Sequence, residues 1–260
     1  MTPLDMSGER EKVVLGIDLA GVTGKTGYAV LRGRNQPRLA EADVMPPTKT
    51  PLQSEQGLIS LIDRVAPTRL VIDAPLTLPP CMACPESCPG PGESCELEVA
   101  RRMWAGGSNP VIRRQCEVEL KRMIPGSEPN PTMGLGIITA RAVGLVRKLE
   151  SRPVAPLSVA SREILEIYPA ASLRQMGWTG RPPKRAPLKV RVGFYSEVVD
   201  SLSTEVNGTD EWPKCREHDD VFDALIAAYT GWLYPEGLVE PPPGFNLVSG
   251  WIWFPKAKAV

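Results

Sequence analysis

Lys12-Val13-Val14-Leu15-Gly16-Ile17-Asp18 is an apolar run that ends on an acid and is followed by Gly21, Gly24 and Gly27. A short uninterrupted apolar run bounded by turn formers reads as a buried strand, and the glycines predict a tight turn into a second strand, Gly27 to Leu31. A third short strand is predicted near Leu39 to Val44. From Ser54 to Val65 the apolar residues Leu58, Leu61, Ile62 and Val65 fall at i, i+3, i+4 and i+7, the spacing of an amphipathic helix that Pro67 stops. Arg69-Leu70-Val71-Ile72-Asp73 then repeats the opening pattern, a β-rich run closing on an aspartate, and Pro75 forbids its continuation in a central strand.

Downstream the pattern breaks. Leu76 to about Pro131 carries five of the six cysteines among many prolines and glycines, and residues 77–131 read as an irregular Cys/Pro/Gly-rich insertion. Regular structure resumes with a helix over 134–150, a strand Ile164 to Tyr168 closed by Pro169, and a helix from Leu188 to Leu202. His218 to Leu233 is the last strong element. Its apolar residues at 222, 225, 226, 229, 232 and 233 form a helical stripe, and Asp219 and Asp220 suit its N-terminus, Asp219 as the cap. The whole is an α/β chain with one domain over 12–233. Residues 234–260, with Pro241, Pro242, Pro243, Trp251, Trp253 and Phe254, form an extended tail that packs back on the body.

The 260 residues fall short of two domains at ~150 residues each. Thirty basic and thirty acidic side chains cancel, which excludes a uniformly positive coat. The cancellation is regional: six basic residues and no acid lie between Arg174 and Arg191, whereas seven acids face only Lys214 and Arg216 between Glu205 and Asp223. His218 is the sole histidine, so multi-histidine zinc sites are excluded and chemistry must rest on carboxylates, cysteines or lysines. With Asp5, Glu9 and Glu11 ahead of any apolar run, no signal or transit peptide is expected, and Ala224 to Tyr234 is far shorter than the ~20 residues of a membrane span. A cytoplasmic location is therefore expected, where cysteines are reduced, metal-bound or catalytic.

Three elements present aspartates at their ends: Asp18 and Asp73 close strands, and Asp220 and Asp223 lie three apart on one edge of the last helix. Like charges there cost stability unless solvent, the helix dipole or a cation offsets them. Ala224, Ala227 and Ala228 let that helix approach a sheet closely, which would bring the acids together. An oxygen-only cluster of this kind suits Mg²⁺ or Mn²⁺ and in-line phosphodiester cleavage. Cys81, Cys84, Cys88 and Cys95 place four thiols in fifteen residues, a spacing suited to zinc or an iron-sulfur cluster. Cys116 is a spare ligand candidate and Cys215 is unrelated. Gly21-Val22-Thr23-Gly24-Lys25-Thr26-Gly27 fails as a phosphate-binding P-loop, because position 19 is leucine and the loop leads into a strand. Arg113, Arg114, Lys184 and Lys189 are the first candidates for contacts to nucleic-acid phosphates, contacts that position a substrate without specifying sequence.

The order of strand ending in Asp, hairpin, helix, strand ending in Asp and later helix opening Asp-x-x-Asp-Ala resembles the ribonuclease-H-like superfamily. Asp220 to Ala228 resembles the last helix of RuvC-type junction resolvases. Gly16 to Gly21, Val71 to Leu76, Glu166 to Ala171 and Asp220 to Thr230 together resemble domain of unknown function family 429, described as predicted nucleases, over most of residues 12–233. The resemblance implies a mixed sheet flanked by helices, a nuclease activity, and metal ligation by Asp18, Asp73 and Asp220/Asp223. Glu166 matches a family motif without an assigned role. Actin-like ATPases and phosphotransferases share that core and are the alternative, although no second hairpin or domain copy is present. A non-catalytic nucleic-acid-binding protein is the third reading.

Overall fold

The protein is described here by a computed structural model, which covers all residues except 1–10, 22–23, 85–87, 89–94, 154–156, 209, 241–249 and 258–260. The three tail prolines, part of the glycine turn and part of the cysteine loop thus lie outside the described residues. Lys12–Asp18 forms β1, Gly27–Gly33 β2, Arg38–Val44 β3, Arg69–Asp73 β4 and Ile164–Glu166 β5. They make one sheet ordered β3-β2-β1-β4-β5, with β2 antiparallel to both neighbours and β4 and β5 parallel to β1. β1 is buried from Val13 to Asp18, as a central strand covered on both faces must be.

Helix α1 runs Pro51–Val65, earlier than the apolar spacing indicates. Thr50 caps it by accepting from the Gln53 amide at 3.3 Å, and Pro51 occupies the first turn, where its missing N–H costs nothing. The insertion is more ordered than its composition suggests. It holds α2, Glu98–Ala105, and α3, Gln115–Met123. Both are short and rich in charge, and each buries only one edge: Val99, Ala100 and Met103 from α2, and Cys116, Glu117 and Leu120 from α3. That edge is too narrow to register as periodicity. Helix α4 spans Gly136–Glu150, α5 Pro169–Gln175, α6 Leu188–Leu202, α7 Trp212–Glu217 and α8 Asp219–Leu233. No strand continues to Tyr168, because Pro169 opens α5.

The last helix is the main departure from the amphipathic stripe. Every residue from Val221 to Trp232 is buried, because α8 crosses β1, β2 and β4 on one side and is covered by α5 and α7 on the other. Tyr195 of α6 stacks on Phe222 at 4.3 Å between ring centroids. Two glycines permit the close approach to the sheet. A Cβ on Gly16 would sit 2.1 Å from the Ala224 carbonyl oxygen, and one on Gly27 would sit 2.1 Å from that of Asp220. Backbone cannot yield to such contacts cheaply, so these positions set the depth at which α8 lies and hence where its acids stand.

The tail returns through Val239–Glu240 (β6), which pairs with Phe254–Pro255 (β7). Trp251, Trp253 and Phe254 are buried, and the Trp253 amide donates to the Glu166 carbonyl at 2.8 Å. Phe254 and Ile252 join Cys116, Leu120, Ile124 and Ala171 in a satellite core that fastens α3 and α5 to the tail. No helix among the described residues is long and apolar enough to cross a membrane.

Candidate active site

The parallel register of β1 and β4 sets Asp18 directly beside Asp73 at the strand ends. Asp223, one turn into α8, completes the group: one carboxylate oxygen from each of Asp18, Asp73 and Asp223 lies within 4.8 Å of the others. Asp220 stands outside that triad, half-buried, and close enough to Asp18 for its charge to act on it. Asp219 pairs with Arg191 of α6 instead, and His218, not Asp219, occupies the cap position, exposed and without a side-chain capping bond.

Each strand end is followed by a loop fixed by a buried arginine. Arg141 of α4 donates to the carbonyl of Ala20 at 2.5 Å and that of Gly21 at 3.2 Å, while its Nε pairs with Glu55 of α1 at 2.6 Å. Arg114, at the head of α3, holds the loop after β4. Its two terminal nitrogens grip Glu166 at 2.5 and 2.6 Å, its Nε reaches Glu117 at 2.9 Å, and Nη1 donates to Thr77 at 3.2 Å. Glu166 in turn accepts from the Leu76 amide at 2.9 Å, three residues past Asp73. Arg114 is only 1% exposed. An arginine beside an arginine in sequence reads as a basic patch, whereas the structure places Arg114 inside the cleft wall with its fork consumed by two glutamates. The same contact gives Glu166 its role as the buried counter-charge.

The remaining expected cations divide. Lys184 is largely exposed, yet its Nζ comes to 4.0 Å from Asp223 at the mouth of the cleft. Arg113 is half-buried, 3.4 Å from the Pro129 carbonyl, and Lys189 is exposed on a neighbouring groove with Trp178, Gly193 and Phe194; neither lines the aspartate cleft. Arg181 was not singled out from sequence. It sits in an aperiodic Gly-Pro loop whose only signal is its run of basic residues, and it donates to Asp223 Oδ2 at 2.7 Å. Lys25, in the failed P-loop, is exposed and does not line the cleft.

These groups surround a cleft of about 470 Å³ lined by Asp18, Asp73, Asp223, Tyr168, Arg174 and Arg181 among others. Burial, then the charges of Asp73, Asp223 and Asp220, push the Asp18 carboxyl well above its ordinary range against the opposing pull of Lys184. Burial and Asp223 likewise push Asp73 up to about 8, with Lys184 and Arg181 opposing. Burial tends to lower Lys184, but the four aspartates outweigh it and hold the ammonium charged. The residues fit a divalent cation on a second count. Asp223 Oδ1 is buried and makes no hydrogen bond of good geometry, its neighbour Arg181 at 2.7 Å serving as an ion-pair partner, so the oxygen keeps a lone pair free for an ion.

A stability consequence follows from these shifts. An aspartate in the unfolded chain titrates near ~3.9, whereas Asp73 holds its proton in the fold up to about 8. Between those values the folded state binds more protons than the unfolded one, so stability falls as pH rises. Protein dialysed free of magnesium and manganese is expected to melt at a lower temperature at pH 8.5 than at pH 6, and added Mn²⁺ is expected to restore more at the higher pH, where it displaces fewer protons. Thermal melts at the two pH values check this, and a metal-free protein that becomes more stable toward pH 8.5 contradicts the coupled carboxyls.

A sheet ordered 3-2-1-4-5, with β2 reversed, carboxylates at the paired ends of its two central parallel strands and a third on the helix crossing them, defines a ribonuclease-H-like α/β protein. The chain belongs to the family described as protein of unknown function, DUF429, whose sequence profile matches residues 16–245. Among solved structures, RuvC of T. thermophilus in complex with Holliday junction substrate is similar at a TM-score of 0.43 and 12% identity, over 87% of this chain and 96% of that one. No curated protein matches the chain.

Proposed function

We propose that this protein is a divalent-metal-dependent nuclease or phosphodiesterase. The observation that carries the reading is the convergence of Asp18, Asp73 and Asp223 within 4.8 Å at the floor of an open cleft. Those three carboxylates would hold Mg²⁺ or Mn²⁺, with Asp220 close by Asp18. A divalent ion in an all-oxygen site supplies the charge that activates water and stabilises the leaving oxygen of an in-line displacement. The chain's own residues account for the rest. Arg141 and Arg114 immobilise the loops behind the two strand ends, so the carboxylates are preorganised. Lys184 and Arg174, at the rim, meet the phosphates of a nucleic-acid strand, and Arg181 neutralises Asp223 until a cation takes its share of that charge.

The test is incubation with end-labelled single-stranded, duplex and branched DNA and with RNA, in Mg²⁺, in Mn²⁺ and in neither ion. Cleavage of one of these that requires the ion supports the reading. Ion-dependent ATP hydrolysis without strand cleavage would replace it with the ATPase alternative, and salt-dependent binding without any hydrolysis would replace it with a binding protein.

A further inference from the structure

Four thiols outside the cleft have no part in the site described above. Cys81 lies on a 3-10 turn, Pro80–Ala83, that Cys84 closes by donating its amide to the Cys81 carbonyl at 3.5 Å. The Cys81, Cys84, Cys88 and Cys95 thiols lie near enough to one another for their charges to interact. None is in a disulfide. Packing does not explain the gathering. Cys81, Cys84 and Cys88 are only half-buried, whereas Cys116 and Cys215 are buried in apolar clusters as inert thiols are. The indole N–H of Trp104 adds a separate indication: it is buried without an acceptor, and it lies beside the Cys81 sulfur.

We propose that Cys81, Cys84, Cys88 and Cys95 hold one zinc ion as four thiolates, in a structural site independent of the aspartates. Zn–S bonds of ~2.3 Å in a tetrahedron separate the sulfurs by ~3.8 Å, a separation that suits thiols gathered around one tight turn. An iron-sulfur cluster interposes iron and sulfide between its ligands and requires thiols held further apart than contact. The sulfurs do not form a closed sphere without the ion, since among the described residues the aspartates are the group with three ligand atoms within 4.8 Å. The ion closes the sphere, and the four S–H protons leave to solvent with no change of oxidation state. A zinc-bound thiolate on Cys81 also gives Trp104 its acceptor. The Cys81 amide donates to the Pro110 carbonyl at 3.2 Å, so the ion would staple the segment that leads into Arg114.

Metal analysis of the full chain, expressed with zinc supplied and purified under reducing conditions, is expected to give about one zinc per chain. Asp18→Asn should leave that content unchanged, and Cys84→Ser with Cys88→Ser should lower it at least ~10-fold. If the double variant fails to fold, cobalt substitution of the unaltered chain decides: a sulfur-to-cobalt charge-transfer band with strong tetrahedral visible absorption supports the site. A folded, reduced protein that takes up neither zinc nor cobalt overturns the proposal, and so does a brown protein carrying iron and acid-labile sulfide.

Discussion

Asp18→Asn is expected to lower ion-dependent strand cleavage by at least ~10³-fold, and Asp223→Asn to do the same, with the fold intact. The amide keeps the shape of the side chain but removes the charge that would bind the ion. The stability of the two variants should then diverge. Burial and the repulsion of Asp73 and Asp223 raise the Asp18 carboxyl well above its ordinary range, so its charged form burdens the fold, and removing it leaves the metal-free protein as stable as before or more so. Asp223 also loses its 2.7 Å contact with Arg181, so Asp223→Asn gains nothing. Asp220→Asn, outside the triad, is expected to cost only ~10–100-fold. Initial rates at saturating Mg²⁺, with melting temperatures measured alongside, check all three. Cleavage within ~10-fold of the unaltered protein in Asp18→Asn removes the triad from the mechanism.

Arg114→Ala is expected to destabilise the protein by ~3–5 kcal/mol, because it leaves Glu166 and Glu117 buried without a counter-charge. Arg114→Met combined with Glu166→Gln should recover much of that loss, since a neutral pair no longer needs compensation. Urea unfolding of the three proteins provides the measurement. A surface phosphate contact would behave in the opposite way, with stability unchanged and nucleic-acid affinity reduced, and that result would contradict the buried network.

The legible parts of the molecule were those where one strong signal acts locally. Asp18 and Asp73 were visible because an apolar run that stops on an acid marks both a strand and its end, and the mixed sheet was implied by the family resemblance of the motifs, whereas its strand order was not. Asp223 was visible as one of a pair three residues apart, but the choice of Asp223 over Asp220 depends on the depth of α8, which Gly16 and Gly27 set through contacts with Ala224 and Asp220. The apolar stripe on α8 misled because a helix covered on both sides buries its small and polar positions too. Arg114, Arg141 and Arg181 were illegible for a shared reason. A buried arginine is recognised by its partner, and their partners Glu166, Glu55 and Asp223 lie 52, 86 and 42 residues away in the chain.

The triad draws two carboxylates from the first third of the chain and the third from residue 223. A ribosome adds residues at ~5–20 per second, so on the order of ten seconds or more separates the emergence of Asp73 from that of Asp223. Through that interval the nascent chain carries its strand-end acids without the helix that seats the third, so the three-carboxylate site cannot exist until the chain is nearly complete.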